Sequence, residues 1–331
     1  MLNYKGRYKG FDSSRISTYS LRSRPSKFDR ENMLDPGDLT SGPMDLTIPQ
    51  LAEVADAVRE ARWSDQPVVL FAGAHLIKNG FGLLVRDLME RSIITMISFN
   101  AAGVIHDLEL ALVGTTSEDV RQGLPRGEFG FAEETGNLIN RAFGHGNRLG
   151  LGAGEAVARL ILGEPFPEKV EFPYVEKSIL AGAYQAGIPA TVHATIGTDI
   201  VDQVPSFDPG AKGACSGRDF LIFCAEIERM SEGGVFLNVG SAVTGPEVFL
   251  KACSMCANVG HPPQGIITAS FDFRPAEASD ESDERRPGYY FRDLKSVVVR
   301  VPEAFGGRGY YIQGDHLDTV PALYQHLIRD S

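Results

Sequence analysis

The sequence predicts an α/β fold, a doubly wound and mainly parallel sheet with helices on both faces. Three observations predict it. Short apolar and β-branched runs recur along the chain, separated by stretches with helical spacing. Within most of these runs, neighbouring residues are apolar rather than alternating with polar ones, as strands buried on both faces require. Three of the turns that leave such runs are built of small residues, and those turns are where parallel sheets hold ligands.

A basic segment comes first. Residues 1–30 carry eight Lys and Arg (Lys5, Arg7, Lys9, Arg15, Arg22, Arg24, Lys27, Arg30) against Asp12 and Asp29. Nothing in it is apolar for long enough to be a signal peptide or a membrane span. It reads as a partly extended arm over 1–47, either docking a partner or solvated. Pro and Gly thicken at its end, in Asp35-Pro36-Gly37-Asp38 and Ser41-Gly42-Pro43. A single α/β domain over 48–331 follows.

That domain opens with a helix, because Leu51, Val54, Ala55 and Val58 recur at helical spacing after Pro49. Strands are predicted at 67–72, 93–99, 190–196, 235–238, 265–270 and 297–301. Helices are predicted at 81–89, after the turn at 100–104, and at 155–162, 175–186 and 219–230. The run Gly150-Leu151-Gly152-Ala153-Gly154-Glu155 follows no strand and reads as a helix-entry turn rather than a phosphate loop.

Composition narrows the function. A net charge of −11 lacks the basic footprint of a nucleic-acid binder. No run of about 18 apolar residues occurs, so no membrane partner is expected and a cytoplasmic location is. Four cysteines in 331 residues do not make a disulfide scaffold. Cys253 and Cys256, with His261 beyond them, lack a second ligand pair at zinc spacing, so no metal is expected.

The small-residue turns are Gly73-Ala74-His75, Asn100-Ala101-Ala102-Gly103 and Gly240-Ser241-Ala242. Small side chains let backbone N–H groups approach a phosphate. His75, His106 and His193 fall at or beside strand ends, where a proton acceptor is useful. Near the C-terminus Lys295 stands between a charged loop and the β-branched run at 297–301. A lysine amine becomes a nucleophile when its surroundings lower its pKa.

In this order, the turns and the lysine resemble the deoxyhypusine synthase family from about residue 65 to the C-terminus. His75-Leu76-Ile77 with Gly80, Ala101-Ala102-Gly103-Val104 with Asp107, Gly136-Asn137-Leu138, and Ile188-Pro189 with Asp199 and Asp202 are similar to its successive motifs. Arg286-Pro287 and Lys295 have the family's spacing, as do Asp315 and Pro321.

The resemblance implies an NAD-dependent transferase that oxidises a polyamine such as spermidine and passes an aminoalkyl group through a lysine imine to an acceptor amine. Lys295 would be the Schiff-base nucleophile. Ala74, His75, Asn100, Ala101, Gly103, Asp202, Gly240, Ser241, Thr268 and Asp315 would hold NAD. Glu281 and Asp283, in the acidic loop with Glu277 and Asp280, would hold the cationic substrate with Asp293. The family forms tetramers with shared sites, which implies a homo-oligomer with the basic arm near a neighbour's site. The expected partners are a small amine and, as one option, a protein lysine.

The sequence also departs from the family. Thr244-Gly245-Pro246-Glu247 stands where the family has a histidine pair, Asp293 where it has tryptophan, and Ile105-His106 where it has an acidic pair. Two alternatives therefore stand beside the transferase. One is an NAD-site enzyme of different chemistry, homospermidine synthase-like among the options, with His106 or Glu247 as base. The other is a non-catalytic ligand-binding protein on the same fold.

Overall fold

The computed structural model describes residues 4–40, 48–164 and 169–329. The turn at Ser41-Gly42-Pro43 and the expected domain boundary at 47 lie outside the described residues. In chain order the strands are β1 (Ser26–Asp29), β2 (Val68–Ala72), β3 (Met96–Asn100), β4 (Thr115–Glu118), β5 (Ala190–His193), β6 (Val235–Val239), β7 (Ile267–Asp272) and β8 (Arg308–Gln313). The helices are α1 (Pro36–Thr40), α2 (Pro49–Trp63), α3 (Ala74–Lys78), α4 (Gly82–Glu90), α5 (Ala101–Val113), α6 (Val120–Gly123) and α7 (Glu133–Leu149). They continue with α8 (Ala153–Ile161), α9 (Ile179–Gln185), α10 (Pro209–Glu228), α11 (Thr244–Asn258), α12 (Val301–Ala304) and α13 (His316–Ile328).

Six strands form one parallel sheet in the order β5-β3-β2-β6-β7-β8. The chain winds outward from β2 through β3 to β5, returns to β6, and winds the other way to β8. This is the doubly wound order whose reversal lies between β2 and β6. Alternate residues of each strand serve opposite faces. Val68, Leu70 and Ala72 enter a core with α2, α4, α5 and α13. Val69 and Phe71 enter a second core with Phe223 and Ile227 of α10 and Phe249 and Cys253 of α11. That second layer is tightly packed, with Phe236 and Phe249 stacked at 3.8 Å between ring centroids.

The predicted strand at 297–301 is helical instead. Leu294–Arg300 forms a π-helical turn that runs directly into α12. A parallel connection from β7 to β8 needs a crossover lying across one face of the sheet, and this segment is that crossover. Its buried apolar residues are Leu294, Val297, Val298 and Val301, a helical i, i+3, i+4, i+7 pattern that its β-branched composition masked. Lys295 therefore projects from a helix, not from a strand edge. The final strand is β8, where Tyr310 and Ile312 turn inward on the sheet's far edge.

Part of the basic N-terminal segment packs on this same chain. β1 pairs antiparallel with β4, Ser26 opposite Glu118 and Phe28 opposite Thr116. The 150–155 run joins two helices, with Gly150 in a left-handed conformation ending α7 and Gly152 capping α8.

Candidate active site

The carboxyl ends of β2 and β6 meet at the reversal point, and they meet backbone to backbone. Gly73 N–H donates to Val239 O at 2.9 Å. Gly240, at φ +66°, turns the chain away from β6 and lies against the side chains of His75 and His316. Behind this floor Ser241 Oγ accepts from Gly245 N–H at 2.9 Å, while Asn238 Nδ2 donates to Ser241 O and to Ser270 Oγ, each at 3.0 Å. His316 Nε2 lies 3.0 Å from Phe271 O and so carries the hydrogen on that nitrogen. No sequence pattern had singled out His316.

Beside the crevice, where β3 ends, Asn100 caps α5 by accepting from Gly103 N–H at 3.1 Å. Gly103 itself is a packing glycine, since a Cβ there would meet the Phe99 ring at 2.6 Å. Under the first turns of α3 and α5 lies a cavity of about 290 Å³, lined among others by Ala74, Lys78, Ala102, His106 and Thr198. Lys78 is half-buried. Burial first, and the neighbouring Lys27 second, press its pKa below the usual lysine range.

Burial pushes the His106 imidazole down to about 4, against the raising influence of Glu109. The ring is neutral at pH 7. Its Nδ1 lies 2.7 Å from Thr116 Oγ1, which in turn donates to Glu109 Oε2 at 2.5 Å. Arg24 completes the cluster with a bidentate bond to Glu109, both side chains almost wholly buried. The far wall of the cavity is the loop after β5. Lys212, 1% exposed, ties it down with bonds to Asp199 at 2.7 Å, Asp202 at 2.5 Å and Thr195 O at 3.0 Å.

The other candidates lie elsewhere or are already engaged. Asp202 is held by Lys212 and by Gly197 N–H. Thr268 is buried and donates to Val297 O at 2.5 Å. Asp315 caps α13 through Leu317 N–H. Asp293 is buried against Arg274 at 2.9 Å, Glu281 pairs with Arg300, and Asp283 pairs with Arg285. Glu247 pairs with Lys251 on α11. His193 sits in a cage of Phe71, Phe220 and Phe223, where burial holds its pKa at about 3.

Lys295 is 5% exposed, with Nζ 3.4 Å from the centroid of the Tyr289 ring. Among the described residues it has no carboxylate partner. It belongs to the layer that carries α11, whereas His106 belongs to the α5 layer on the opposite face of the sheet. The structure therefore brings together His75, Gly240 and Ser241 at the crevice, and Ala74 with His106 at the cavity. Asp293 joins the network behind the crevice floor, accepting at 3.4 Å from Ser270 Oγ, the hydroxyl that also accepts from Asn238 Nδ2, while Lys295 lies on the face of the sheet opposite His106. Sequence reasoning missed Arg24, Glu109, Thr116 and Lys78. Only Glu109 left a trace, three residues from His106 on the same helix face.

A parallel sheet wound in both directions from a central reversal, with glycine backbones at the crevice, defines a doubly wound α/β fold of the NAD-binding type. No protein-family model matches the sequence, and no curated protein does. Solved structures do align. AgrE in ternary complex with ornithine and NAD+ aligns over 90% of this chain and 34% of its own, with a TM-score of 0.51 at 16% identity. A protein from Methanococcus maripaludis S2 designated LOR/SDH aligns over 88% of this chain and 71% of its own, with a TM-score of 0.51 at 15% identity.

ArgZ, an arginine dihydrolase from the ornithine–ammonia cycle in cyanobacteria, aligns over 85% of this chain and 31% of its own, with a TM-score of 0.50 at 14% identity. The chain thus spans about a third of the length of AgrE and ArgZ. A protein from Entamoeba histolytica designated a deoxyhypusine synthase aligns with a TM-score of 0.43 at 10% identity, over 85% of this chain and 89% of its own. The alignments with AgrE, ArgZ and the LOR/SDH protein show a related fold alone, and membership of the deoxyhypusine synthase family is not shown.

Proposed function

We propose that the chain is an NAD-dependent enzyme that binds the dinucleotide across the β2–β6 crevice and uses His106 as its proton acceptor. The observation that carries this reading is the apposition of Gly73 and Gly240 at the reversal point, beside the His106 cavity. A side chain at Gly73 would run into the Gly240 carbonyl, so glycine lets the two strand ends lie this close and makes the floor of bare backbone that a close-lying pyrophosphate requires. Gly73 and Ala74 on one side, Gly240 and Ser241 on the other, and Asn100 and Ala101 at the neighbouring strand end would hold the cofactor.

Bound NAD supplies a hydride acceptor; the remaining work falls to the chain. His106 is neutral at pH 7 and so has a lone pair for the proton that a hydroxyl or amine gives up on oxidation; with its pKa at about 4 it passes that proton on rather than keeping it. The related fold of AgrE, whose structure contains NAD+ and ornithine, agrees with this cofactor. Calorimetry with NAD tests the reading: saturable one-site binding that is lost in Gly73→Val is expected. A folded wild-type chain that takes up no NAD would end it.

The imine reading keeps one observation in its favour, the nearly buried Lys295 amine that no carboxylate among the described residues holds. Here an amine substrate oxidised to its imine would exchange onto Lys295 Nζ, releasing the first amine and leaving the alkyl group for an acceptor. The Tyr289 ring face covers Nζ at 3.4 Å and must move before the amine can attack. Borohydride reduction in the presence of NAD and spermidine should then add mass to the wild type and not to Lys295→Ala. No adduct on either would remove this reading.

A further inference from the structure

Behind His106, side chains from separate stretches of the chain converge on one carboxylate. Glu109 accepts from Arg24 Nη1 and Thr135 Oγ1 on Oε1, at 3.0 and 2.7 Å, and from Arg24 Nη2 and Thr116 Oγ1 on Oε2, at 2.7 and 2.5 Å. Two donors thus meet each oxygen of a buried carboxylate, which can only accept. Thr116 has a single hydroxyl hydrogen and gives it to Glu109. Toward His106 Nδ1, 2.7 Å away, it can offer only a lone pair.

The hydrogen of the neutral ring therefore sits on Nδ1, which leaves Nε2 as the basic nitrogen. We propose that Glu109 is a positioning residue that fixes the tautomer of His106 through the Thr116 hydroxyl, and that Arg24 from the basic N-terminal segment holds Glu109 in place. This rests on the reading of His106 as proton acceptor. When Nε2 takes a proton, Nδ1 keeps its own, and the new positive charge is stabilised along Nδ1–H, the hydroxyl dipole and the carboxylate. The N-terminal segment is then part of the site and not an appendage. Lys78 and His75 on α3 and Arg24 oppose that charge, and Glu109 alone of these groups favours it.

The test is the tautomer itself, read by nitrogen-15 NMR of the imidazoles in the full chain near pH 7. Wild-type His106 is expected as Nδ1–H with a bare Nε2. Thr116→Val, which keeps shape but loses the lone pair, should shift the ring toward Nε2–H, and Thr116→Ser should restore the wild-type pattern. Arg24→Lys, which keeps the charge but loses the bidentate grip, should give a mixture. A wild-type ring with hydrogen on Nε2, or a Thr116→Val ring unchanged, overturns the proposal. The NAD titration separates the two levels. A chain that binds no NAD yet shows the Nδ1–H ring refutes the enzyme reading and leaves the relay standing.

Discussion

A Cβ placed on Gly73 would stand 2.1 Å from the carbonyl oxygen of Gly240. Neither partner is a flexible side-chain end that could swing aside. Both are backbone at the carboxyl ends of paired strands, so relief requires β2 and β6 to part where they exchange the Gly73–Val239 hydrogen bond.

Gly73→Ala is accordingly expected to cost ~1–3 kcal/mol in overpacking and to lower NAD affinity at least about tenfold. Gly213→Ala is the matching control. Gly213 lies inside α10 with open space around it, so alanine there should be neutral or stabilise by ~0.5–1 kcal/mol through helix propensity. Chemical denaturation and NAD calorimetry on both variants check the pair.

The bond between Arg24 and Glu109 makes a second prediction, about stability rather than binding. Removing one member of a buried ion pair leaves the other charged and uncompensated. Arg24→Ala is thus expected to cost ~3–5 kcal/mol, read from the denaturation midpoint. Surface arginines such as Arg126, whose bond to Glu128 is exposed, should cost less than ~1 kcal/mol on the same substitution. Equal, small effects at both positions would mean that the N-terminal segment does not pack as described.

Much of the sheet was legible in the sequence because strands buried on both faces carry their signal locally. The runs at 67–72 and 235–238 correspond to β2 and β6, and the glycine turns after them mark the crevice. The 297–301 run misled because the β-branched residues favour strands while their positions follow a helix. Its buried set Leu294, Val297, Val298 and Val301 carries the periodicity that decides. The His106 cluster was half legible: a histidine near a strand end can be picked out, but its partners cannot. Arg24 lies 85 positions from Glu109, and Thr135 lies 26 from it. Only the fold brings them together, and a lone Arg in a basic segment resembles any solvated charge.

Stability should vary with pH through two groups of opposite sign. The His106 pKa is depressed by burial to about 4 from 6.5, so its contribution is full above pH 6.5 and is lost as pH falls toward 4. Burial raises Asp219 from 3.8 to about 7 against the lowering effect of hydrogen bonds from Gly154 and Val192, so its contribution is full below pH 3.8 and is lost as pH rises to 7. The variants separate the signs. The stability of Asp219→Asn relative to wild type should climb between pH 4 and 7 and then level off, by at most ~1.4 kcal/mol per pH unit. For His106→Gln the relative stability should climb as pH falls from 6.5 to 4. Flat difference curves from urea titrations would show that burial does not shift these groups.

Lys212 makes the last prediction, because its ammonium is the cation that the carboxylates of Asp199 and Asp202 share. The same two side chains also accept from the backbone of the loop, Asp199 from Thr195 N–H and Asp202 from Gly197 N–H. Lys212→Met preserves the length of the buried stem while leaving two neighbouring carboxylates without their counter-ion. A loss of ~3–5 kcal/mol is expected at pH 7. Because the loop forms the far wall of the His106 cavity, proteolysis should also cut between residues 195 and 203 in this variant sooner than in the wild type. A variant as stable as the wild type at pH 7, with the loop equally resistant, would mean that the lysine does not hold that wall.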